Sequence, residues 1–348
     1  MKRWIAVLLA LVMLLASLPG FAEDKYSTLL FDYFDTATSF MGYASSQQEF
    51  DNAVALLEKE LSYLHQLFDG YHLYGEMHNL RYVNENAAKA PVQVDAPMFA
   101  LLSLCKEMYE KPGFNRVNIA MGSVLSLWHD ARETGILPEK SALEEAALHT
   151  DFSKVILDQE NSTVYFEDPL LKLDLGAVAK GYAADHIRRV IEPILPSFLI
   201  SLGGNVYAGE KPLDGRKKWG VSVQCPDGIP SIQPGSDILE VLYDTHMSFV
   251  TSGDYQRFME VDGVRYHHII DPVTLMPASH LRGVTIVCES GFMADYLSTL
   301  LFILPYEEGL ALIESIPQAG ALFITADGTV SMTDSVAAIA YTHGASAR

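Results

Sequence analysis

Residues 174–185 have the sequence Asp-Leu-Gly-Ala-Val-Ala-Lys-Gly-Tyr-Ala-Ala-Asp, and they follow an apolar segment that contains Leu170, Leu171 and Leu173. This order predicts a strand that ends at a carboxylate, a turn at Gly176 and then a helix. Such a junction places charge and backbone N–H groups where a phosphate or a metal ion can bind. Alone it is weak evidence of a ligand site, because many folded domains contain one.

The surrounding sequence predicts helices in the first half and short strands in the second. We expect a strand at 27–34, a helix whose apolar residues recur from Phe50 to Phe68, and helices near Pro97–Tyr109, from about Gly122 and after Gly176. We expect strands at Leu199–Ser201, Trp219–Gln224, Ile238–Tyr243 and Thr245–Val250, and a hairpin that pairs Ala321–Thr325 with Thr329–Met332. No repeat and no long linker divides the chain, so the pattern predicts one α+β domain with a cleft.

Composition excludes some classes of partner. The chain has 348 residues, of which 49% are hydrophobic and 20% charged, as in globular proteins. Its formal net charge of −20 opposes nonspecific attraction to nucleic acid and to anionic lipid. We therefore expect no nucleic-acid partner, and a phosphate ligand must be held locally by a cation, by backbone amides or by a metal. Three widely spaced cysteines indicate neither a disulfide scaffold nor a zinc site.

The N-terminus has the pattern of a secretory signal. Lys2 and Arg3 precede an apolar run at 4–15, and small residues follow at Gly20 and Ala22. We expect residues 1–22 to be a signal peptide and 23–348 to be the mature domain, which would be secreted or extracytoplasmic at the outer face of the cytoplasmic membrane. The alternative is an uncleaved anchor. Membrane association is expected only through that N-terminal segment or through a partner protein that is itself attached to the membrane.

A second group of residues has the chemistry of a metal site. Asp295 and Thr299 are four residues apart, so on a helix both project from one face. A carboxylate and a hydroxyl are oxygen ligands suited to Mg²⁺. The alternative is a helix cap and a solvated face, and the pair gains weight only from other segments.

Two further segments have a chemical and a structural interpretation. His267 and His268 stand before Asp271-Pro272, where a histidine can act as a general base or contact a phosphate, or can be incidental to a turn. Gly203-Gly204-Asn205 can bring backbone close to a diphosphate or form a plain tight turn.

Taken together, these segments resemble the family of FAD:protein FMN transferases, the ApbE family, formerly described as thiamine biosynthesis lipoproteins. The resemblance extends from Phe31 to the C-terminus and depends on the order of five segments: 174–185, Leu202-Gly-Gly-Asn205, Thr251-Ser-Gly-Asp-Tyr255, His268-Ile-Ile-Asp-Pro272, and Ala294-Asp295 with Thr299. Their joint occurrence is specific. It implies a single α+β domain with a mixed, mostly antiparallel sheet packed with helices, in the T-fold-like ApbE architecture, with a cleft for FAD.

The resemblance also implies an activity and a metal site. The activity is the Mg²⁺-dependent transfer of the FMN half of FAD to a Ser or Thr hydroxyl of an acceptor flavoprotein, with release of AMP. Asp295, Thr299 and the backbone carbonyl of Ala177 match the metal-binding positions. Mg²⁺ would neutralise the diphosphate and stabilise the leaving AMP.

The same resemblance implies which residues contact the flavin nucleotide, and the chemistry of the transfer requires a base for the proton of the acceptor hydroxyl. Lys180 would supply the local cation that an acidic protein needs near a diphosphate. We expect His268 to be the general base on the acceptor hydroxyl, and His267 to be the less favoured member of the pair. The residues expected to contact FAD are Tyr71, Val117, Asn118, Asp174, Lys180 and Ile270.

Three positions depart from the family pattern. Asn118 stands where many members have a carboxylate, so it can hydrogen-bond a base edge but adds no charge. Leu275 replaces a glycine after the Asp-Pro turn, and we expect it to resist a positive φ and to change the loop. Phe34-Asp35-Thr36 aligns with the usual Met-Gly-Thr, and no chemistry is assigned to it.

Two other functions remain open at this point. Water could replace the acceptor hydroxyl in a Mg²⁺-dependent FAD pyrophosphatase that gives FMN and AMP, or the same cleft could bind FAD without turnover. Retention of Asp295 and Thr299 with Lys180 and His268 disfavours a non-catalytic binder. The sequence His343-Gly-Ala-Ser346 lacks the upstream residues of the family's acceptor motif, so we do not expect self-modification.

Overall fold

The computed structural model describes residues 23–233 and 235–348. The signal-peptide prediction for 1–22 lies outside the described residues. Among the helices of the described part, none is both long and apolar enough to span a bilayer.

An eight-stranded sheet forms the centre of the molecule. Its strand order is β1-β2-β6-β7-β10-β13-β14-β15, and every pair of neighbours is antiparallel. These strands are β1 (Asp24–Tyr33), β2 (Thr36–Ala44), β6 (Phe198–Leu202), β7 (Asn205–Ala208), β10 (Met247–Gly253), β13 (Leu281–Cys288), β14 (Gly320–Thr325) and β15 (Val330–Met332). Smaller antiparallel sheets pair β3 (Val92–Gln93) and β4 (Val155–Asp158) with β5 (Thr163–Phe166), β8 (Trp219–Gln224) with β9 (Ile238–Asp244), and β11 (Phe258–Val261) with β12 (Val264–His267).

Nine helices accompany these sheets in the described residues. They are α1 (Gln47–Phe68), α2 (Leu80–Asn86), α3 (Ala96–Tyr109), α4 (Gly122–Thr134), α5 (Lys140–Ala147), α6 (Ala179–Ile191), α7 (Gly291–Ile303), α8 (Tyr306–Glu314) and α9 (Asp334–Ala337). The predicted α+β class is confirmed, and the helices expected from apolar periodicity are α1, α3, α4 and α6.

Both faces of the large sheet are covered. Helices α1, α6 and α7 pack on one face and enclose the main core. On the other face, the β8–β9 hairpin and α9 enclose a second core that includes Trp219, Phe249 and Leu322. A third cluster joins α4 and α5 to β11, β12 and Ile270, and it forms one side of the region in which the predicted site residues meet.

The strand predicted at Leu170–Leu173 is absent. The segment is irregular apart from a single parallel bridge between Lys172 and Met121. Its backbone is instead paired with a side chain: the N–H of Leu173 donates to Asn84 Oδ1, and Asn84 Nδ2 donates to the Leu173 carbonyl. The segment is apolar because the side chains of Leu171 and Leu173 are buried, not because it pairs as a strand.

Two glycines allow α6 and α7 to cross at very short distance. A Cβ on Gly181 would lie 2.2 Å from the Gly291 carbonyl oxygen and 2.5 Å from Asp295 Cβ. The Asp185 carboxylate on α6 accepts the N–H groups of Gly291 and Phe292 and the Ser290 hydroxyl, so it caps α7. In return, Asp295 on α7 accepts the N–H of Gly181 at 2.8 Å. The two helices are therefore joined by reciprocal hydrogen bonds to carboxylates.

We expect Gly181→Ala to destabilise the fold by about 1–3 kcal/mol, because the added methyl meets a backbone oxygen that no side-chain rotation can move. Gly309→Ala is the matched control: Gly309 is also helical, and its added Cβ would find only ordinary contacts at 3.6 Å and beyond. The control should be neutral or gain up to about 1 kcal/mol from helix propensity. Thermal unfolding checks both, and equal melting temperatures for the two variants would contradict the close crossing.

Candidate active site

Two of the expected metal ligands, Asp295 and Thr299, lie four residues apart on α7, and Asp295 contacts the first turn of α6, which follows Ala177. In a regular helix the N–H of Gly181 would donate to the carbonyl of Ala177, four residues earlier. Here it donates to Asp295 Oδ2 instead, and within the described residues the Ala177 carbonyl accepts no hydrogen bond. The Thr299 hydroxyl likewise has no hydrogen-bond partner there, which leaves both oxygens available as ligands.

A buried amide beside Asp295 completes this junction. Asn205 is 3% exposed, and its side-chain amide lies close to the Asp295 carboxylate. Burial raises the pKa of Asp295, while Lys180, Asn205 and the N–H of Gly181 oppose that rise. One carboxylate, a hydroxyl and a free carbonyl are oxygen donors of the kind that a hard cation such as Mg²⁺ binds. In the described chain no group of three His, Cys, Asp or Glu residues is placed to bind a metal ion.

Lys180 lies between the two acidic residues of the site. Burial raises the pKa of Asp174, and the hydrogen bond from the N–H of Gly176 and the positive charges of Arg132 and Lys180 act against that rise. The Asp174 carboxylate accepts the N–H of Gly176 at 2.8 Å but forms no ion pair with a described residue. Lys180 is half-buried and also forms no ion pair there. Its charge is therefore available to an anionic ligand.

The two adjacent histidines have different roles. Both ring nitrogens of His267 are engaged: Nε2 donates to the Ala278 carbonyl at 2.7 Å, and Nδ1 accepts the N–H of Ile269 at 3.2 Å. His267 is therefore a neutral structural residue. In His268, Nδ1 donates to the Arg257 carbonyl at 3.2 Å, which leaves Nε2 free to accept a proton. Burial, with the charge of Lys180, lowers the pKa of His268 to about 3.

A rigid loop presents Tyr71 to this region. The Asp69 carboxylate accepts the N–H groups of Tyr71 and His72 and the Tyr74 hydroxyl. The Tyr71 ring lies 4.6 Å from the ring of His129 on α4, at an interplanar angle of 30°. Burial and the charge of Asp174 raise the pKa of Tyr71 to about 12, so the phenol is neutral. The ring is half exposed and can stack against a planar ligand.

The remaining predicted contacts lie around the segment before α4. The Val117 carbonyl accepts the Tyr296 hydroxyl, and Asp174 N–H donates to the carbonyl of Ile119 at 2.8 Å. The Asn118 side chain bridges the Thr150 carbonyl and the N–H of Ala120. Ile270 is buried in the α4 cluster. The contacts of Val117, Asn118 and Ile270 with FAD stay predictions, and the Asn118 amide already has a structural role.

Known proteins are similar to this chain in sequence and in fold. The model of the ApbE family matches residues 34–323. A Treponema pallidum protein named FAD:protein FMN transferase is 39% identical over 262 residues, which cover 71% of this chain and 71% of that protein. A Klebsiella pneumoniae protein of the same name is 33% identical over 248 residues, 70% of this chain and 73% of the relative.

The chain belongs to the ApbE family. The expected family and its class of enzyme, the transferases, are confirmed. The ApbE protein of Thermotoga maritima superposes with a TM-score of 0.79 at 25% identity, covering 91% of this chain and 99% of that one. The flavin transferase ApbE of Vibrio cholerae gives 0.74 at 20% identity, with 89% and 97% covered, and confirms the fold.

The Asp-Pro loop of this ApbE-family protein keeps its turn without the usual glycine. Leu275 has a φ of 60°, contrary to the expectation that it would resist a positive φ. The N–H of Leu275 donates to the Asp271 carbonyl, and Asp271 N–H donates to that of Met276. Trp128 Nε1 on α4 donates to the Leu275 carbonyl at 2.9 Å. These bonds hold the leucine in a conformation that it disfavours alone.

Two segments that the sequence analysis compared with the family pattern, at Phe34-Asp35 and at Gly203-Gly204, are hairpin turns. Phe34 and Asp35 both have a φ of 52° and connect β1 to β2, and Gly203 and Gly204 connect β6 to β7. A Cβ on Gly203 would lie 2.0 Å from Thr36 Oγ1, so the two turns pack closely together. The second turn places Asn205 beside Asp295. The tight-turn interpretation of Gly203-Gly204 therefore describes the structure.

The sequence patterns did not predict several residues that lie in the site. His129 and Arg132 on α4 lie near Tyr71 and Asp174, and Arg257 lies near His268 and donates to the Asp35 carbonyl. Spacing of three on a helix was the only available signal for His129 and Arg132, and it is typical of any solvated helix face. Asn205 was noted only as part of a turn.

The lowered pKa of His268 predicts a pH dependence of stability. An unfolded histidine has a pKa of about 6.5, so below that pH the unfolded chain binds a proton that the folded site refuses. The stability from the neutral ring is complete above about pH 6.5 and is lost as the pH falls toward 3. His267, whose pKa burial also lowers, acts in the same direction.

His268→Gln should therefore lose less free energy of unfolding than the parent chain between about pH 7 and about pH 5. Urea denaturation at the two pH values measures the difference. The same loss in both proteins would show that His268 titrates normally in the folded state.

Proposed function

We propose that this chain is a Mg²⁺-dependent FAD:protein FMN transferase that moves the FMN moiety of FAD to a Ser or Thr hydroxyl of an acceptor flavoprotein and releases AMP. The observation that supports it most is the α6–α7 junction, where Asp295 takes the N–H of Gly181 and so frees the Ala177 carbonyl, while the Thr299 hydroxyl, four residues after Asp295 on α7, has no hydrogen-bond partner among the described residues. Ala177, Asp295 and Thr299 would hold the metal. When bound, Mg²⁺ would neutralise the diphosphate and stabilise the leaving AMP.

The proton of the acceptor hydroxyl would go to His268 Nε2. The hydroxyl oxygen forms a bond to the FMN phosphorus as the bond from that phosphorus to the oxygen of AMP breaks, so one proton must leave. The hydrogen bond from His268 Nδ1 to the Arg257 carbonyl fixes the tautomer with a free Nε2. The pKa of about 3 keeps that nitrogen unprotonated at neutral pH in the free protein, and nearby phosphate charge would raise its basicity.

Lys180 would bind the diphosphate. Its ammonium lies near Asp174, Asp295 and His268, at the centre of the site, and it has no ion pair with the described residues. The Tyr71 ring, neutral and half exposed, would lie against the isoalloxazine or the adenine. We place the reaction outside the cytoplasm, because residues 1–22 have the pattern of a signal peptide.

The deciding experiment is intact-mass analysis of an acceptor domain after incubation with residues 23–348, FAD and Mg²⁺, with AMP followed in parallel. A mass gain on the acceptor equal to one FMN phosphoryl group, abolished by EDTA, is the expected result. AMP and free FMN with an unmodified acceptor would replace the proposal with an FAD pyrophosphatase. FAD bound with neither product would replace it with a flavin-binding protein.

The metal ligands can be tested at Thr299 and Asp295. Thr299→Val removes the hydroxyl without changing the shape, so it should raise the Mg²⁺ concentration for half-maximal rate by about tenfold or more, the effect of about 1.4 kcal/mol. Thr299→Ser keeps the hydroxyl and should resemble the parent chain. Asp295→Asn, which can still accept the N–H of Gly181, should abolish Mg²⁺-dependent turnover. Full activity in Asp295→Asn would show that Asp295 is not a metal ligand and would contradict the proposed metal site.

The base can be tested at His268. His268→Ala should lower turnover by about 10²–10⁴-fold, the usual contribution of a general base, and leave FAD bound. His268→Gln is the companion variant, since its amide can keep the hydrogen bond to the Arg257 carbonyl without acting as a base. Turnover and FAD affinity are measured separately. A large loss of affinity with normal turnover would make His268 a binding residue.

A further inference from the structure

Helix α4 forms a fixed wall of the candidate site. At its start, the N–H of Gly122 donates to the Lys172 carbonyl at 2.9 Å, two residues before Asp174. In its middle, Trp128 Nε1 donates to the Leu275 carbonyl of the Asp-Pro loop. One residue later, the His129 ring contacts Tyr71. The helix is thereby bound to three of the segments that contribute predicted site residues.

Arg132 follows His129 by three residues, so both project from neighbouring positions on one side of α4. It is half-buried, and within residues 23–233 and 235–348 its guanidinium makes no hydrogen bond and no ion pair within 4.0 Å. Burial lowers its pKa, and the nearby Tyr71 and Asp174 oppose that effect. An arginine stays charged in proteins, so Arg132 places a cation near Asp174 that forms no ion pair with a described residue.

We propose that the Arg132 guanidinium binds the diphosphate of the dinucleotide substrate together with Lys180. The identity of that ligand rests on the proposed function. Arg132 approaches from α4 and Lys180 from the start of α6, and Asp174 lies near both. The chain as a whole is strongly acidic, with a formal net charge of −20. Two neighbouring cations that have no ion pair with a described residue are therefore a local exception, suited to a ligand with two negative charges.

The guanidinium suits a diphosphate better than the planar rings of the ligand. The Tyr71–His129 pair already offers an aromatic surface at this wall. Arg132 would add what those rings lack, a planar fork of N–H donors that matches two phosphate oxygens. In this arrangement the rings of Tyr71 and His129 would contact a planar ring system of the ligand. The cations of Arg132 and Lys180 would contact its phosphates.

Direct titration of FAD and of riboflavin, in EDTA and without acceptor, tests this assignment. Riboflavin lacks the diphosphate. Arg132→Gln should weaken FAD binding by about tenfold or more, because it removes a charge-assisted hydrogen bond, and should leave riboflavin affinity within about twofold. Arg132→Met keeps the apolar stem and is the second variant if the glutamine variant fails to fold. Arg81→Gln is the control: it removes the same charge from an exposed pair with Glu85 on α2.

Unchanged FAD affinity in a folded Arg132 variant would overturn the proposal. Equal weakening of FAD and riboflavin would also overturn it, since the arginine would then contact the flavin ring. An equal loss of FAD affinity in Arg81→Gln would show that the effect comes from the overall charge of the chain, which would also overturn the proposal. FMN transfer is scored separately on the parent chain, so an absence of transfer with an Arg132-dependent FAD affinity would refute the proposed function and leave this assignment standing.

Discussion

The crossing of α6 and α7 is the constraint on which the candidate site depends. Gly181 and Gly291 let the two backbones approach so closely that Asp295 on α7 can accept an N–H from the first turn of α6. That hydrogen bond fixes the carboxylate, and it also removes the N–H that would otherwise occupy the carbonyl of Ala177. Asp185 fixes the same crossing from the other direction by capping α7. Asp295, which we propose as a metal ligand, thus also holds the two helices together, so the proposed site and the stability of the crossing share one hydrogen bond.

An acidic protein can bind a polyanion only if its cations are concentrated where the ligand lies. Lys180 and Arg132 lie near Asp174 and form no ion pair with the residues that the structure describes, in surroundings where water is partly excluded. A lower local dielectric strengthens each charge–charge interaction relative to the exposed surface, and salt screens it less. The net charge of −20 therefore opposes nonspecific binding of anions without preventing specific binding. His268 shares this environment: the same burial and the same Lys180 charge that suit a phosphate keep its ring neutral.

Periodicity in the sequence predicted the helices well and one strand wrongly. The long helix ending at Phe68 and the hairpin near the C-terminus bury regular apolar faces, and regular faces leave a regular pattern. The Leu170–Leu173 segment failed because its backbone is satisfied by the Asn84 side chain, 89 residues away, and no periodic pattern records that pairing. Motif order placed Asp174, Lys180 and Asp295, which the structure brings together. It could not show Arg132, which matters because no residue in the described part of the chain pairs with it, and such pairing can be seen only in the folded chain.

The Asp-Pro loop shows how α4 connects the two sides of the site. A positive φ at a non-glycine residue costs about 1–2 kcal/mol, while each backbone or indole hydrogen bond contributes about 0.5–1.5 kcal/mol. Leu275 is held by its own N–H bond to Asp271 and by the Trp128 indole on its carbonyl, and two such bonds are enough to offset the strain. Trp128 and His129 are adjacent on α4, so the helix that holds this loop also contacts Tyr71. A shift of α4 would move the loop that follows His268 and the aromatic surface together, which makes the helix a mechanical link between the proposed proton acceptor and the proposed flavin contact.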